Sequence, residues 1–241
     1  MEKLRGGKAI FTMKIFNFGL DIQPGKYKYQ CPYFNKLVEK FEPQKQSPYI
    51  VEFVGEDLDK ADAVVFDTAK KLDFVLIDLE KVEKRLLRAE SEKEKALLGK
   101  AQKILEEEKL LCDAEFSEEE KEILKTLQLS TYKPSVGREQ TGGINELIKE
   151  VIDKAAVLMF FTAGKKEVHI WNIKKGENIL EAAGKIHSDL KRGFIKAEVV
   201  NCKDLDNFFN MAEAKSKGFV KVVDRDYIMQ ENDIIEIRFN V

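Results

Sequence analysis

The apolar positions of this chain change period as the sequence proceeds, and each change marks a different kind of element. Residues 9–18, AIFTMKIFNF, are dense in β-branched and aromatic side chains and are closed by Gly19, Pro24 and Gly25, the signature of a strand running into a turn. Residues 33–41 place Leu37, Val38 and Phe41 on one face of a short helix, which Pro43 and Pro48 break before a strand at 49–54 and a third apolar run at 63–66. That order predicts a small α/β layer. From Leu72 charge dominates and apolar residues recur at helical spacing: Leu79, Val82, Leu86 and Ala89, then, after a charged break at 90–95, Leu97, Ala101, Ile104 or Leu105, and Leu111. Two seams this short bury themselves most simply against each other, as an antiparallel helical hairpin over about 72–112. Ser117 three residues before Glu120 is a capping box for a helix at 118–127, and a glycine-containing stretch at 137–143 leads into an amphipathic helix at 144–156.

The last third changes again. Strand patterns at 158–162, 168–173, 194–200, 220–223 and 234–239 are interrupted by one helix at 179–190, whose inner face carries Ile179, Ala182, Ala183, Ile186 and Leu190. Two strands, a helix, then further strands is the order of a ubiquitin-like β-grasp. The expected fold class is therefore α+β, with domains at 1–157 and 158–241.

Composition narrows the function classes. At 241 residues the chain has room for one large or two modest domains, and 44% hydrophobic residues suffice for real cores. Charged residues reach 35%, above the ~25% of an ordinary soluble protein, yet 41 Lys and Arg balance 43 Asp and Glu, so any attraction to nucleic acid must come from a local patch. Abundant Lys and Glu with few Asn and Gln is the bias of thermophile proteins. Cys31, Cys112 and Cys202 lie far apart and never at C-x-x-C spacing, which excludes a zinc knuckle or a disulfide framework and fits a reducing compartment. Residues 1–7 carry charge without an apolar core, and the longest apolar run, near 155–161, is too short to span a bilayer; a cytoplasmic protein is expected.

The run FFTAGKKEVHIWNIKKGENILEAAGKIHSDLKRGFIKAEV at 160–199 and the ending DYIMQENDIIEIRFNV at 226–241 resemble the carboxy-terminal TGS domain of the YchF family, Obg-related P-loop nucleotidases associated with translation. DLEKVEKRL at 78–86 and FSEEEKEILKTLQL at 116–129 resemble that family's coiled-coil insertion, and KLVEKFEPQKQSPYIVEFV at 36–54 is similar to the stretch leading into its second nucleotide motif. The resemblance implies a truncated G-domain remnant carrying the helical hairpin, followed by a TGS domain. It also exposes departures. A phosphate loop needs G-x-x-x-x-G-K-S/T, but Gly19 and Gly25 enclose five residues, Pro24 removes an amide donor, and Lys26 is followed by Tyr27 where a small hydroxyl should ligate magnesium. After Val54, Gly55 precedes Glu56 and Asp57, the wrong order for the metal-reaching acid, and the switch segment is deleted. The base-selecting Asn-x-x-Glu motif is missing from SVGREQTGG at 135–143; Asn178 and Glu181 have its spacing by chance inside the predicted helix.

Gly19, Gly25 and Lys26 are thus the remnant of a nucleotide site, with no catalytic residue, metal ligand or cofactor assigned. The TGS resemblance implies RNA or partner binding, for which Lys165, Lys166, Lys174, Lys175, Lys185, Lys191, Arg192 and Lys196 with His187 form the candidate surface. Against it, lysines in turns are often only solubilising, His187 has the alternative of capping a helix or ordering the next loop, and His169 that of an ordinary surface or core residue. Phe160, Phe161 and Trp171 read as core, and Glu80, Lys81, Glu83, Lys84, Arg88 and Glu90 as a solvated helix face. The leading expectation is a non-catalytic protein that binds RNA or a ribosome-associated partner. Its alternatives are a divergent ATP- or GTP-binding nucleotidase built around Lys26, and a protein–protein adaptor gripping its partner through the hairpin.

Overall fold

The computed structural model describes residues 12–240; the charged start at 1–7 and the first part of the expected strand, 9–11, lie outside them. The first half runs β1 (Met13–Phe18), β2 (Gly25–Lys28), α1 (Pro32–Phe41), β3 (Lys45–Ser47), β4 (Ile50–Val54), β5 (Ala63–Asp67), α2 (Lys71–Leu86), α3 (Glu92–Glu106), α4 (Glu118–Leu127), β6 (Ser135–Arg138) and α5 (Ile144–Lys154). The second runs β7 (Val157–Ala163), β8 (Glu167–Lys174), α6 (Ile179–Ile186), α7 (Ser188–Arg192), β9 (Phe194–Asn201), α8 (Met211–Ser216), β10 (Lys221–Val223) and β11 (Asp233–Phe239).

These elements form two compact units, and the division is not a single cut. Thr12–Tyr27 and Ile50–Ala155 make one; Lys28–Tyr49 joins Ala156–Val241 in the other. The sequence reading placed 28–49 ahead of a boundary at 157/158, so α1 and β3 belong spatially with strands more than a hundred residues later.

The first unit is built on a five-stranded sheet in the order β2-β4-β1-β5-β6, parallel between β4 and β1, β1 and β5, and β5 and β6. Parallel strands need both faces covered. On one face Val64 and Phe66 pack with Phe74, Val75 and Val82 of α2, Leu97, Leu98, Ala101 and Leu105 of α3, and Leu124 of α4. The helical pair is thus the roof of the sheet rather than a free-standing coil. α5 buries Leu147, Ile148, Val151 and Ile152 and packs on β5 and β6. α4 starts where its capping box requires: the Ser117 hydroxyl accepts from the Glu120 amide and the Glu120 carboxylate accepts from the Ser117 amide.

The second unit carries a six-stranded mixed sheet, β10-β9-β11-β7-β8-β3. β7 and β8 form an antiparallel hairpin, β11 lies parallel to β7 and antiparallel to β9, and β3 lies parallel to β8. α6 covers one face, sealing Ile179, Ala182 and Ala183 against Leu158, Phe160, Ile173, Ala197, Val199 and Ile235. The expected helix 179–190 is broken in two, because His187 adopts an extended backbone at φ −161° and its Nδ1 accepts the Asp189 amide at 3.1 Å, ending α6 and capping α7. Among the described residues no helix is long and apolar enough to cross a membrane.

Candidate functional site

The two places where the sequence carries chemistry are built very differently. At the end of β1, the segment that would curl round a phosphate folds on itself. The Asn17 side chain donates to the carbonyls of Leu20 and Ile22 and accepts the Leu20 amide at 3.1 Å, while the Ile22 amide is taken by the Leu20 carbonyl. Two amides are thereby spent internally. Gly19 has φ +95°, and a Cβ there would lie 2.6 Å from Lys70 Cδ and 2.9 Å from its Nζ, so the Lys70 side chain is laid across this turn. Gly25 and Lys26 open strand β2, whereas a phosphate loop leads into a helix whose N-terminal amides meet the anion. Beyond β4, Asp57 sits in a left-handed conformation at φ 61° and pairs with Lys60 at 2.8 Å, a hydrogen bond and charge that hold its exposed carboxyl below the usual range. SVGR of the third motif region forms β6, with Arg138 forked onto Glu150 at 2.6 and 3.1 Å. Asn178 caps α6, accepting the Leu180 and Glu181 amides at 3.1 Å, which accounts for its spacing to Glu181.

The basic residues of the second unit fall into groups. Lys165 and Lys166 occupy the β7–β8 turn, and Lys174 and Lys175 lie at the other end of β8, roughly 23 Å away at the usual strand rise. All four are exposed and none makes an ion pair among the described residues. Lys191 pairs with Glu181 at 2.7 Å, Arg192 with Asp189 at 3.0 Å and Lys196 with Asp224 at 3.8 Å, so their charge is locally compensated. Of the nine candidates, Lys185, Lys191 and Arg192 line a common groove.

That groove, of about 820 Å³, runs between β8 and the α6–α7 pair, with Tyr49 at its margin. Trp171, half-buried, lies on its wall with the His169 ring stacked on the indole at 3.7 Å between centroids, and its Nε1 donates to Thr162 Oγ1 at 3.0 Å. Phe160 and Phe161 are fully buried, so of the three aromatics read as core, Trp171 alone reaches a surface feature. Burial lowers the pKa of His169 against the raising effect of Glu167, whose carboxylate also accepts from Lys45 at 2.8 Å and Ser47 at 2.6 Å. Sequence reasoning missed this groove because it opens where β8 runs on past its pairing with β3, a three-residue strand with no apolar pattern. Among the described residues no cluster of three or more His, Cys, Asp or Glu side chains is placed to hold a metal.

Comparison with known proteins agrees with this architecture. The family model YchF-GTPase_C, described as a protein of unknown function (DUF933), matches residues 157–240. "Ribosome-binding ATPase YchF" of Bacillus subtilis (strain 168) is 31% identical over 237 residues, covering 70% of this chain and 65% of that protein. "Obg-like ATPase homolog" of Saccharomyces cerevisiae is 45% identical over 94 residues, 38% of this chain and 23% of that one. The solved "Structure of the Schizosaccharomyces pombe YchF GTPase" superposes with a TM-score of 0.79 at 16% identity, covering 98% of this chain and all of that one, a likeness of fold. The chain belongs to the YchF family. It spans less than two thirds of the length of these curated relatives.

Proposed function

We propose that this chain is a shortened YchF-type protein that has given up nucleotide hydrolysis and retains contact with RNA or a ribosome-associated partner. In this reading the sheet bearing α2 and α3 is a reduced G domain, and residues 158–241, completed by 28–49, are a TGS-type β-grasp. The observation that carries the loss of catalysis is the passage from β1 into β2: where a nucleotidase has strand, loop and helix, this chain has strand, self-bonded turn and strand, with Lys70 across the glycine. Support for the partner comes from the relatives named as ribosome-binding and from Lys165, Lys166, Lys174 and Lys175, four exposed cations without ion pairs among the described residues. Such side chains give affinity through phosphate charge with little reading of sequence.

Isothermal titration of the full chain with ATP or GTP and magnesium tests the first half, and no tight binding is expected. Micromolar affinity abolished by Lys26→Ala would restore an active nucleotidase. Pull-down with and without ribonuclease tests the second half: partners retained after digestion would favour the protein–protein adaptor.

A further inference from the structure

The parity of the β7–β8 hairpin fixes which backbone groups of β8 face outward. The Gly164 amide donates to the Glu167 carbonyl at 3.1 Å and the Lys175 amide to the Ala156 carbonyl at 2.8 Å, so the odd-numbered residues of β8 exchange hydrogen bonds with β7. The even-numbered ones direct theirs to the opposite edge. β3 pairs with that edge over Glu167, Val168 and His169 and then stops at Ser47. Further along, the Lys174 amide is taken by the Glu177 carboxylate at 3.0 Å. Between these two caps the outward amide and carbonyl of Asn172 have no partner among the described residues, and they face the groove.

We propose that this groove accepts an extended polypeptide segment of another protein, which adds as a short strand beside Ile170–Lys174 where β3 leaves off. An open strand edge is a template for such pairing, and β3 shows that this edge already takes a parallel strand. The free stretch is about 13 Å long, enough for four or five residues of extended chain. The walls specify the side chains. A residue opposite Trp171 would lie against its indole, which calls for an apolar group. Glu181 is committed to Lys191, whose stem fills the space over Gly184 with Cδ at 2.8 Å from where a Cβ would be, so the α6 wall is aliphatic there. A nucleic acid would find its phosphates facing Glu177 and Glu181 across the same groove and would leave the amide of Asn172 unused.

Two measurements on the full chain test this. In the free protein, amide exchange followed by NMR should be fast at Asn172 and slow at Trp171 and Ile173, which bond to β7; slow exchange at Asn172 would mean that the edge is already covered and would overturn the proposal. A displayed library of random linear dodecapeptides selected on the immobilised chain should yield binders that share an apolar residue to lie against Trp171. Asn172→Pro removes the outward amide together with the side chain's 3.1 Å donation to the Tyr49 hydroxyl, whereas Asn172→Ala removes the side-chain bond alone; the fold should persist by circular dichroism in both, while peptide affinity falls about tenfold only in the proline variant, the equivalent of one to two ladder hydrogen bonds. Binding unchanged by Asn172→Pro, no enrichment over a scrambled library, or protection of the Asn172 amide by single-stranded RNA instead of peptide would each refute strand addition.

Discussion

If Lys165, Lys166, Lys174 and Lys175 carry the RNA contact, the salt dependence of binding can be worked out before it is measured. Each phosphate neutralised on a single strand contributes about 0.7 to the slope of log affinity against log salt, so four contacts give a slope of about 2.8 and a roughly 50-fold loss between 50 and 200 mM. Lys174→Gln with Lys175→Gln should leave a slope of about 1.4 and a loss of about 7-fold over the same range. Lys191→Gln with Arg192→Gln should change the slope little, because Glu181 and Asp189 already compensate those cations at 2.7 and 3.0 Å. Exposed substitutions of this kind shift stability by less than ~0.5 kcal/mol, so unfolding does not confuse the reading. Fluorescence anisotropy of a labelled single-stranded RNA at several salt concentrations supplies all three slopes. A flat wild-type profile, or flattening by the Lys191 and Arg192 pair alone, would refute the assignment of contact to the unpaired lysines.

Three further outcomes test the fold. Leu98→Ala in α3, at a side chain with no exposure, should destabilise the first unit by about 3 kcal/mol in urea unfolding, through lost burial plus the cavity left beneath the roof. Ser117→Ala removes one arm of the capping box and should cost about 1 kcal/mol, visible as a lower thermal midpoint. Glu198, buried in β9, is pushed up by burial but held net below the usual carboxyl range by Lys215 and Arg238. A depressed folded-state value means stability that is complete above the unfolded pKa and lost as pH falls through the folded one. The second unit should therefore weaken below about pH 4.5, and Glu198→Gln should flatten that acid limb.

Local rules found the elements whose causes are local. The helix at Glu118–Leu127 was legible to the residue because Ser117 and Glu120 encode its start, and α2 and α3 were legible because their seams are helical. What escaped was set by distant partners. β3 and β6 are only three and four residues long, KQS and SVGR, with Val136 their single apolar side chain, and pairing with β8 and β5 is what makes them strands. The break at His187 is instead a local one inside a good helical pattern: capping was an alternative open to that histidine from the sequence, and its ring takes it up by turning back onto the Asp189 amide. The lysines of the candidate site could be named from sequence, but which of them are neutralised depended on where Glu181, Asp189 and Asp224 came to lie.

The pairing of β3 with β8 also dictates when the second unit can finish folding. Ser47 reaches Glu167 across 120 residues, a loop whose closure costs roughly 4 kcal/mol of chain entropy on the logarithmic law. During synthesis, α1 and β3 emerge early and wait for a docking strand that is made only after the whole first unit, which by then can fold around their absence. Completion of the second unit is consequently a late, non-local and slow event. A fragment cut to the bounds of the family match, 157–240, would lack both elements and bare the entire outer edge of β8, turning a short docking gap into a long adhesive strand prone to self-association.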